Sequence, residues 1–237
     1  MKEDIAIEAL REVKEVFDKH GIEFWLDCGT LLGAVRDEKF ISWDGDIDLG
    51  IWNTQINKLY AASQELRDSG FKVAVWEWEG RIAILTENCG IDVYLYRLID
   101  NAATMKWLIN EKMRVGQILD YLHRVTSEQR RVVVGSNMPV SVTKILYKIV
   151  NALSPHLRKR LADVIWLLYE KTGCAIHLSI PDHYFNNLSK IRFYGMEFEV
   201  PAETEEYLVY RYGENWKIPN RDYVHYKDDG AIVKESL

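Results

Sequence analysis

The sequence predicts an α+β domain, in which helices flank a mixed sheet and a helical elaboration follows in the C-terminal half. Segments with helical and strand periodicity alternate over the first hundred residues, and the pattern beyond Asn101 turns mostly helical. The length of 237 residues fits one large domain or one domain with an elaboration. We expect a core in residues 1–100, on which a helical region and a final segment in residues 101–237 pack as one continuous domain.

The N-terminal half begins with an amphipathic helix, whose apolar residues fall on one face of a 3.6-residue period before Gly21 ends it. A short strand then enters the turn Cys28-Gly29-Thr30, and Leu31 begins a short helix. Alternating apolar and acidic residues predict a strand in the second half of residues 41–51. The rest of the core is expected to be a helix from Thr54 to Gly70 and strands at 71–78, 81–86 and 90–98.

Helical spacing continues in the C-terminal half, where it predicts helices within residues 105–110, 116–124, 142–153 and 157–169. A strand-rich stretch at 191–200 follows, and then a helix at 203–212 that ends at Gly213. We expect the apolar face of residues 142–153 to be a core face, and the alternative is contact with a membrane surface.

Composition and charge narrow the classes of function. With 48% apolar and 28% charged residues the chain is an ordinary globular protein, and its net charge of −6 argues against nucleic-acid binding. The three cysteines have no metal-ligand spacing, and the acidic N-terminus is unlike a secretory signal. These features predict a cytoplasmic location, with a peripheral position on the inner face of a membrane as the alternative. Residues 103–171 carry a net +7 and the rest −13. This unevenness suits a metal site beside a phosphate or membrane-surface contact.

The chemically informative segment is FWLDCGTLLGAVRDEKFISWDGDIDLGI, residues 24–51. Asp46 and Asp48 lie two residues apart on a predicted strand, so their side chains share one face at a spacing of roughly 6.6 Å. The apolar residues between and after them point to the other face, into a core. Two carboxylates in this position can hold a divalent cation. The alternative for an isolated Asp-x-Asp is a solvated acidic strand.

Further residues favour the functional interpretation. Gly29 and Thr30 lie where a strand passes into a helix, which is a place where backbone N–H groups can approach a phosphate. Arg36 follows within reach of a phosphate oxygen. Asp92 lies on a later predicted strand, with apolar neighbours on its other face. A phosphate-binding turn, a pair of aspartates and a third aspartate together predict metal-assisted phosphoryl transfer.

The segment GTLLGAVRDEKFISWDGDIDLGI resembles the LicD family of the nucleotidyltransferase (polymerase-β-like) superfamily, which includes phosphocholine transferases and the fukutin-type polyol-phosphate transferases. Residues 29–36 match the family's Gly-Thr-Leu-Leu-Gly-Ala-Val-Arg signature, and residues 43–48 match its Trp-Asp followed by Asp-x-Asp. Asp37 and Ser42 depart from the family, which often has His and Pro at these positions. Residues 196–219 are also similar to the family, and we expect them to be mostly structural.

The resemblance implies a nucleotidyltransferase-like mixed sheet and a transferase that moves phosphocholine or a polyol phosphate. The donor would be CDP-linked, the acceptor a glycan or lipid-linked glycan, and the cofactor Mg²⁺, with Mn²⁺ as the alternative. The residues implied are Asp46, Asp48 and Asp92 for catalysis and metal binding, and Gly29, Thr30, Arg36, Trp43 and Asp44 for substrate binding. Asp44 would alternatively lie in a second shell or hold a second metal, and Asp92 would alternatively accept a proton.

Two other functions would use the same residues. A nucleotidyltransferase would move a nucleoside monophosphate from a triphosphate to a small molecule or protein. A non-catalytic module would only bind a nucleotide or a glycan. The clustered carboxylates argue against the non-catalytic module, because like charges held together destabilise a fold that has no use for them.

Overall fold

The computed structural model describes residues 2–76, 80–108, 118–119, 122, 126, 145, 148–150, 152–171 and 175–233. The chain divides into two compact units, one formed by residues 1–105 with 177–237 and the other by residues 106–176. The first unit thus contains both ends of the described chain. The expected boundary at residue 100 stays a prediction.

The elements of the N-terminal part are α1 (Glu3–Lys19), β1 (Phe24–Leu26), α2 (Cys28–Arg36), β2 (Asp46–Trp52), α3 (Ile56–Asp68), β3 (Lys72–Trp76), β4 (Arg81–Leu85), β5 (Gly90–Ile99) and β6 (Ala102–Leu108). Those of the C-terminal part are α4 (Pro155–Lys171), β7 (Ala175–Pro181), α5 (His183–Asn186), β8 (Ser189–Phe193), β9 (Met196–Val200), α6 (Thr204–Tyr212) and α7 (His225–Asp228). Helices and strands alternate as predicted in the N-terminal part.

The first unit is built on a mixed sheet with the strand order β3-β4-β5-β2-β1-β9-β8. β2 is parallel to β5 and β1 is parallel to β9, whereas the other neighbouring strands are antiparallel. β1 therefore lies between an N-terminal and a C-terminal strand. The α+β prediction with a mixed sheet and flanking helices is confirmed.

The predicted apolar positions form the core. The inward face of α1 is buried along its whole length, and Ile47, Leu49 and Ile51 of β2 have no exposed surface. Gly50 is also required, because a Cβ at this position would overlap the ring of Trp25 on the neighbouring strand. Glycine thereby lets a fully buried indole lie across β2 and fix the position of the strand.

Two strands after Asn101, β6 and β7, were not predicted. The helix expected at residues 105–110 is wrong, because residues 102–108 form β6, which pairs with β5 as an antiparallel hairpin. Asp100 and Asn101 have φ values of 50° and 60°, the conformation required at the tip of a two-residue hairpin turn. Helices α4 and α6 confirm those predicted near residues 157–169 and 203–212. The predicted helices at 116–124 and 142–153 lie largely outside the described residues.

Candidate functional site

The candidate site begins where β1 passes into α2. The Asp27 carboxylate caps the helix by accepting the Cys28 N–H at 2.8 Å, and Cys28 itself has a left-handed φ of 43°. The next N–H, that of Gly29, donates to Oδ2 of Asp48 at 3.1 Å. A Cβ at Gly29 would collide with the carboxylate of Asp44. Only glycine therefore allows this turn to lie directly against the acidic side chains.

Three carboxylates meet beside the turn. Asp46 and Asp48 share one face of β2, and Asp44 lies just before the strand. One carboxylate oxygen from each of the three lies within 4.8 Å of the others. Asp48 is buried, with 6% of its surface exposed, and the other two are half-buried. We call Asp44, Asp46 and Asp48 the acidic cluster.

The acidic cluster has no internal compensation for its charge. Burial, followed by the neighbouring charge of Asp46, raises the pKa of Asp44 to about 6. Burial and the charges of Asp46 and Asp44 raise the pKa of Asp48 well above its usual range. Among the described residues, no lysine or arginine forms an ion pair with any of the three. Partly buried carboxylates without a cationic partner suit a hard divalent cation, which takes oxygen ligands.

Asp92 lies beside the acidic cluster. The parallel register of β2 and β5 pairs Asp92 with Asp48, so the later strand that the sequence predicts for Asp92 lies directly beside β2. Its Oδ2 forms an ion pair with Nη1 of Arg81 at 2.9 Å. Burial raises the pKa of Asp92, and Arg81 offsets part of this effect. Asp92 thus differs from the acidic cluster in having a cation of its own.

Thr30 and Trp43 occupy different surroundings. Thr30 is buried, and its hydroxyl accepts the backbone N–H of Asp48 at 2.9 Å, so it ties α2 to β2. Trp43 lies at the surface with 42% of its area exposed. The guanidinium carbon of Arg221 stands 4.8 Å from the centre of the Trp43 ring, a cation–π contact.

Arg36, at the end of α2, forms an ion pair with Asp37, one of the two residues that depart from the family pattern. Its Nε and Nη2 donate to the two carboxylate oxygens of Asp37 at 2.9 and 2.7 Å. The Arg36 side chain is only 6% exposed, and the hydrogen bond from Arg36 lowers the pKa of Asp37. A phosphate that binds Arg36 would therefore compete with Asp37.

A second group of charged residues surrounds Asp27, the residue that caps α2. Asp27 is fully buried and accepts hydroxyl hydrogen bonds from Tyr96 at 2.6 Å and Tyr207 at 3.0 Å. Arg211 approaches Asp27 with Nη1 at 3.4 Å, and its Nε and Nη2 donate to Asp229 at 2.9 and 2.7 Å. Burial alone would lower the pKa of Arg211, but Asp229 together with Tyr207, Cys28 and Tyr96 raises it above its usual range. We call Asp27, Arg211 and Asp229 the buried ion triad.

Sequence reasoning did not find the buried ion triad. Asp27 and Arg211 are separated by 184 positions along the chain, and nothing in either segment alone shows that they meet. Asp27 and Arg211 each have a local sequence feature that could have indicated a buried charge. Asp27 stands directly before a helix, at the N-cap position, and Arg211 lies on the same face of α6 as the buried Tyr207 and Leu208. A single arginine on a buried helix face needs a partner carboxylate.

Comparisons with known proteins show what the segment around this site resembles. Residues 21–110 match the family model described as LicD/FKTN/FKRP, nucleotidyltransferase domain. The lipopolysaccharide cholinephosphotransferase LicD of Haemophilus influenzae is 24% identical over 234 residues, which cover 85% of each chain. Human ribitol 5-phosphate transferase FKRP is 47% identical over 45 residues, 19% of this chain and 9% of that protein. An uncharacterised protein of Rickettsia prowazekii is 29% identical over 86 residues, and the match covers 36% of this chain and 31% of that protein.

Among solved structures, that of the antibiotic-resistance factor ANT(2'')-Ia aligns with 72% of this chain and 96% of its own, at 14% identity and a TM-score of 0.35. The segment that matches the family model contains the glycine turn, the acidic cluster and Asp92. Residues 21–110 are therefore similar to the nucleotidyltransferase domain of the LicD family.

Proposed function

We propose that this protein is a transferase that moves a phospho-alcohol from a CDP-linked donor to a hydroxyl group of a glycan. The observation that carries the proposal is the acidic cluster, three carboxylates that are held against the turn at Gly29 and have no basic partner in the described part of the chain. The printed names of two relatives support the reaction class, because one is a cholinephosphotransferase and the other a ribitol 5-phosphate transferase.

Mg²⁺ is the cofactor that fits the acidic cluster best, and Mn²⁺ is the alternative. Both prefer carboxylate oxygens, and a bound cation would relieve the repulsion that raises the pKa of Asp44 and of Asp48. We propose that Asp44, Asp46 and Asp48 hold the metal. When bound, the ion would neutralise the negative charge that develops on the leaving cytidine monophosphate.

The residues around the acidic cluster position it for this reaction. The Gly29 N–H donates to the carboxylate of Asp48, and the Thr30 hydroxyl accepts the backbone N–H of the same residue. We propose that the first contact orients the carboxylate and the second holds its backbone in place. In the transfer, the acceptor hydroxyl oxygen attacks the phosphorus of the phospho-alcohol. The bond from that phosphorus to cytidine monophosphate breaks, and the nucleotide leaves with the electron pair. The proton of the hydroxyl passes to a carboxylate or to water.

Asp92 has two proposed roles, as a further oxygen ligand of the same metal or as the acceptor of the hydroxyl proton. Its position beside Asp48 suits both, and its ion pair with Arg81 holds the side chain in place. The pH profile of Asp92→Asn separates these roles. Loss of a proton acceptor removes the acidic limb of the activity profile, whereas loss of a ligand lowers activity at every pH and weakens metal binding.

A screen of CDP-linked alcohols in the presence of Mg²⁺, with release of cytidine monophosphate as the readout, tests the proposal. We expect at least one donor to be consumed and Asp46→Asn and Asp48→Asn to lose about 100-fold or more of the activity. The matched control is Asp68→Asn, which changes an exposed carboxylate at the end of α3. Activity of Asp48→Asn at the wild-type level would contradict the proposal. Product whose mass has grown by a nucleotide would identify a nucleotidyltransferase instead.

A further inference from the structure

The exposed apolar residues of this protein are concentrated in one segment. Of the fourteen large apolar side chains that are exposed among the described residues, seven lie between residues 145 and 168. Exposed apolar residues that adjoin one another mark a contact with a partner or a membrane, whereas single ones need no explanation. The seven are Ile145, Ile149, Leu157, Leu161, Val164, Leu167 and Leu168.

Four of these residues form a continuous stripe along α4. Leu157, Leu161, Val164 and Leu168 are spaced by four, three and four residues, so their side chains lie on one face of the helix. They are 37–54% exposed. Ala162 and Ile165, on an adjacent face, are buried at 6% and 5%. Helix α4 thus packs against the protein with one face and leaves a second apolar face exposed, which we call the α4 stripe.

The charge around the α4 stripe is positive. Residues 145–171 contain five lysines or arginines and two acidic residues, in a chain whose net charge is −6. Arg160 precedes Val164 by four residues and Lys171 follows Leu168 by three, so both are surface neighbours of the stripe. Apolar side chains flanked by basic ones are typical of helices that lie in the interface of an anionic bilayer.

The same observations disfavour a second copy of the chain as the occupant of the α4 stripe. Two copies would bring their positive segments together, and like charges across an interface are unfavourable. The four-residue stripe also spans less than two heptads, shorter than the repeat that sustains a coiled coil. No helix within the described part of the chain is long and apolar enough to cross a membrane. Contact from one side of the bilayer is therefore the geometry that α4 permits.

We propose that the α4 stripe docks this protein on an anionic lipid surface, with Leu157, Leu161, Val164 and Leu168 in the interface and Arg160 and Lys171 among the headgroups. This role is separate from the proposed transfer reaction and uses none of its residues. A docked enzyme would meet a lipid-linked acceptor while both the enzyme and the acceptor stay on the membrane surface.

Co-sedimentation of the full chain with vesicles tests the docking without metal or donor, so its outcome is independent of the transferase proposal. The vesicles contain phosphatidylcholine alone or phosphatidylcholine with about one third phosphatidylglycerol, at low and high salt. We expect binding to the anionic vesicles that weakens with salt. The double variant Leu157→Gln/Leu168→Gln is expected to bind at least tenfold more weakly. Arg160→Gln/Lys171→Gln is expected to lose about fivefold for each charge removed.

Ile218→Gln is the matched control, because Ile218 is 65% exposed and lies outside the α4 stripe. It should bind as the wild type does, and thermal unfolding should show that every variant remains folded. Binding of Leu157→Gln/Leu168→Gln equal to that of the wild type would overturn the proposal, as would absence of binding to anionic vesicles. Sedimentation velocity without vesicles tests whether a second copy of the chain occupies the α4 stripe. A dimer that Leu157→Gln/Leu168→Gln abolishes would assign the stripe to that second copy and would overturn the proposal of docking on lipid.

Discussion

Two groups of aspartates adjoin the turn at Gly29, and they differ in how their charge is balanced. In the buried ion triad, Asp27 and Asp229 share the guanidinium of Arg211, and two tyrosine hydroxyls complete the hydrogen bonds of Asp27. In the acidic cluster, three carboxylates meet without a basic partner among the described residues. The backbone N–H of Asp27 donates to the carbonyl of Asp48, so the two groups are directly connected.

This difference separates a structural group from a functional one. A buried carboxylate that already has a cation and full hydrogen bonding stabilises one arrangement of the chain. A carboxylate kept near others of its own charge lowers stability, and we propose that the acidic cluster is kept in that state for the binding of a cation. The triad therefore holds the turn in place, whereas the acidic cluster has no basic partner among the described residues.

The largest expected effect comes from removing the cation of the triad. Arg211→Met would leave two buried carboxylates without their partner, and we expect the free energy of unfolding to fall by about 3–5 kcal/mol. Urea denaturation measures this change. Lys217→Met is the control, since Lys217 pairs with Glu205 at the surface and both side chains are more than half exposed. The control should change the free energy of unfolding by less than about 1 kcal/mol. An equal fall in the free energy of unfolding for Arg211→Met and Lys217→Met would contradict the structural role of the buried ion triad.

The same chemical change on each side of the turn should have opposite effects on stability. Asp27→Asn removes a charge that Arg211 needs, so the free energy of unfolding should fall by about 2 kcal/mol or more. Asp48→Asn removes a repulsive charge, so the free energy of unfolding should rise by about 1 kcal/mol in a metal-free buffer. Both are read from denaturation curves with a chelator present. Destabilisation of similar size in both variants would contradict the comparison.

A smaller effect is expected in the pH dependence of stability. The pKa of Asp44 is about 6 in the folded protein, above its usual 3.8, so the folded state binds the proton more tightly than the unfolded state does. The contribution of Asp44 to stability should therefore fall as the pH rises from about 4 to about 6. The measurement is the difference in free energy of unfolding between wild type and Asp44→Asn, without divalent cations. Asp68→Asn should give a flat difference, and a difference for Asp44→Asn that rises with pH would show that the sign is wrong.

Much of the fold and part of the site were predictable because their signals are local. The alternation around Asp46 and Asp48 predicts β2 and its two faces, and the 3.6-residue period predicts α1. The hairpin turn at Asp100-Asn101 was also local, but the helical spacing that follows it outweighed the turn signal and β6 was missed. Strand β7 was likewise absent from the predictions.

The rest of the site could not be predicted because it depends on contacts between distant segments. The contact of Asp27 with Arg211 joins the end of β1 to residues 196–219, which the sequence indicated only as mostly structural, and Asp229 lies beyond that segment. The partner of Arg36 is the next residue, Asp37, but the burial of the Arg36 side chain depends on the folded chain and could not be predicted either. Whether Arg36 binds phosphate stays a prediction.

Binding of Mn²⁺, followed by electron paramagnetic resonance of the free ion, tests the central assignment most directly, because it needs no donor or acceptor. The wild type should bind the ion, Asp46→Asn and Asp48→Asn should each bind it at least tenfold more weakly, and Asp68→Asn should match the wild type. Affinity of Asp46→Asn and Asp48→Asn equal to that of the wild type would contradict the assignment of the acidic cluster as the metal site.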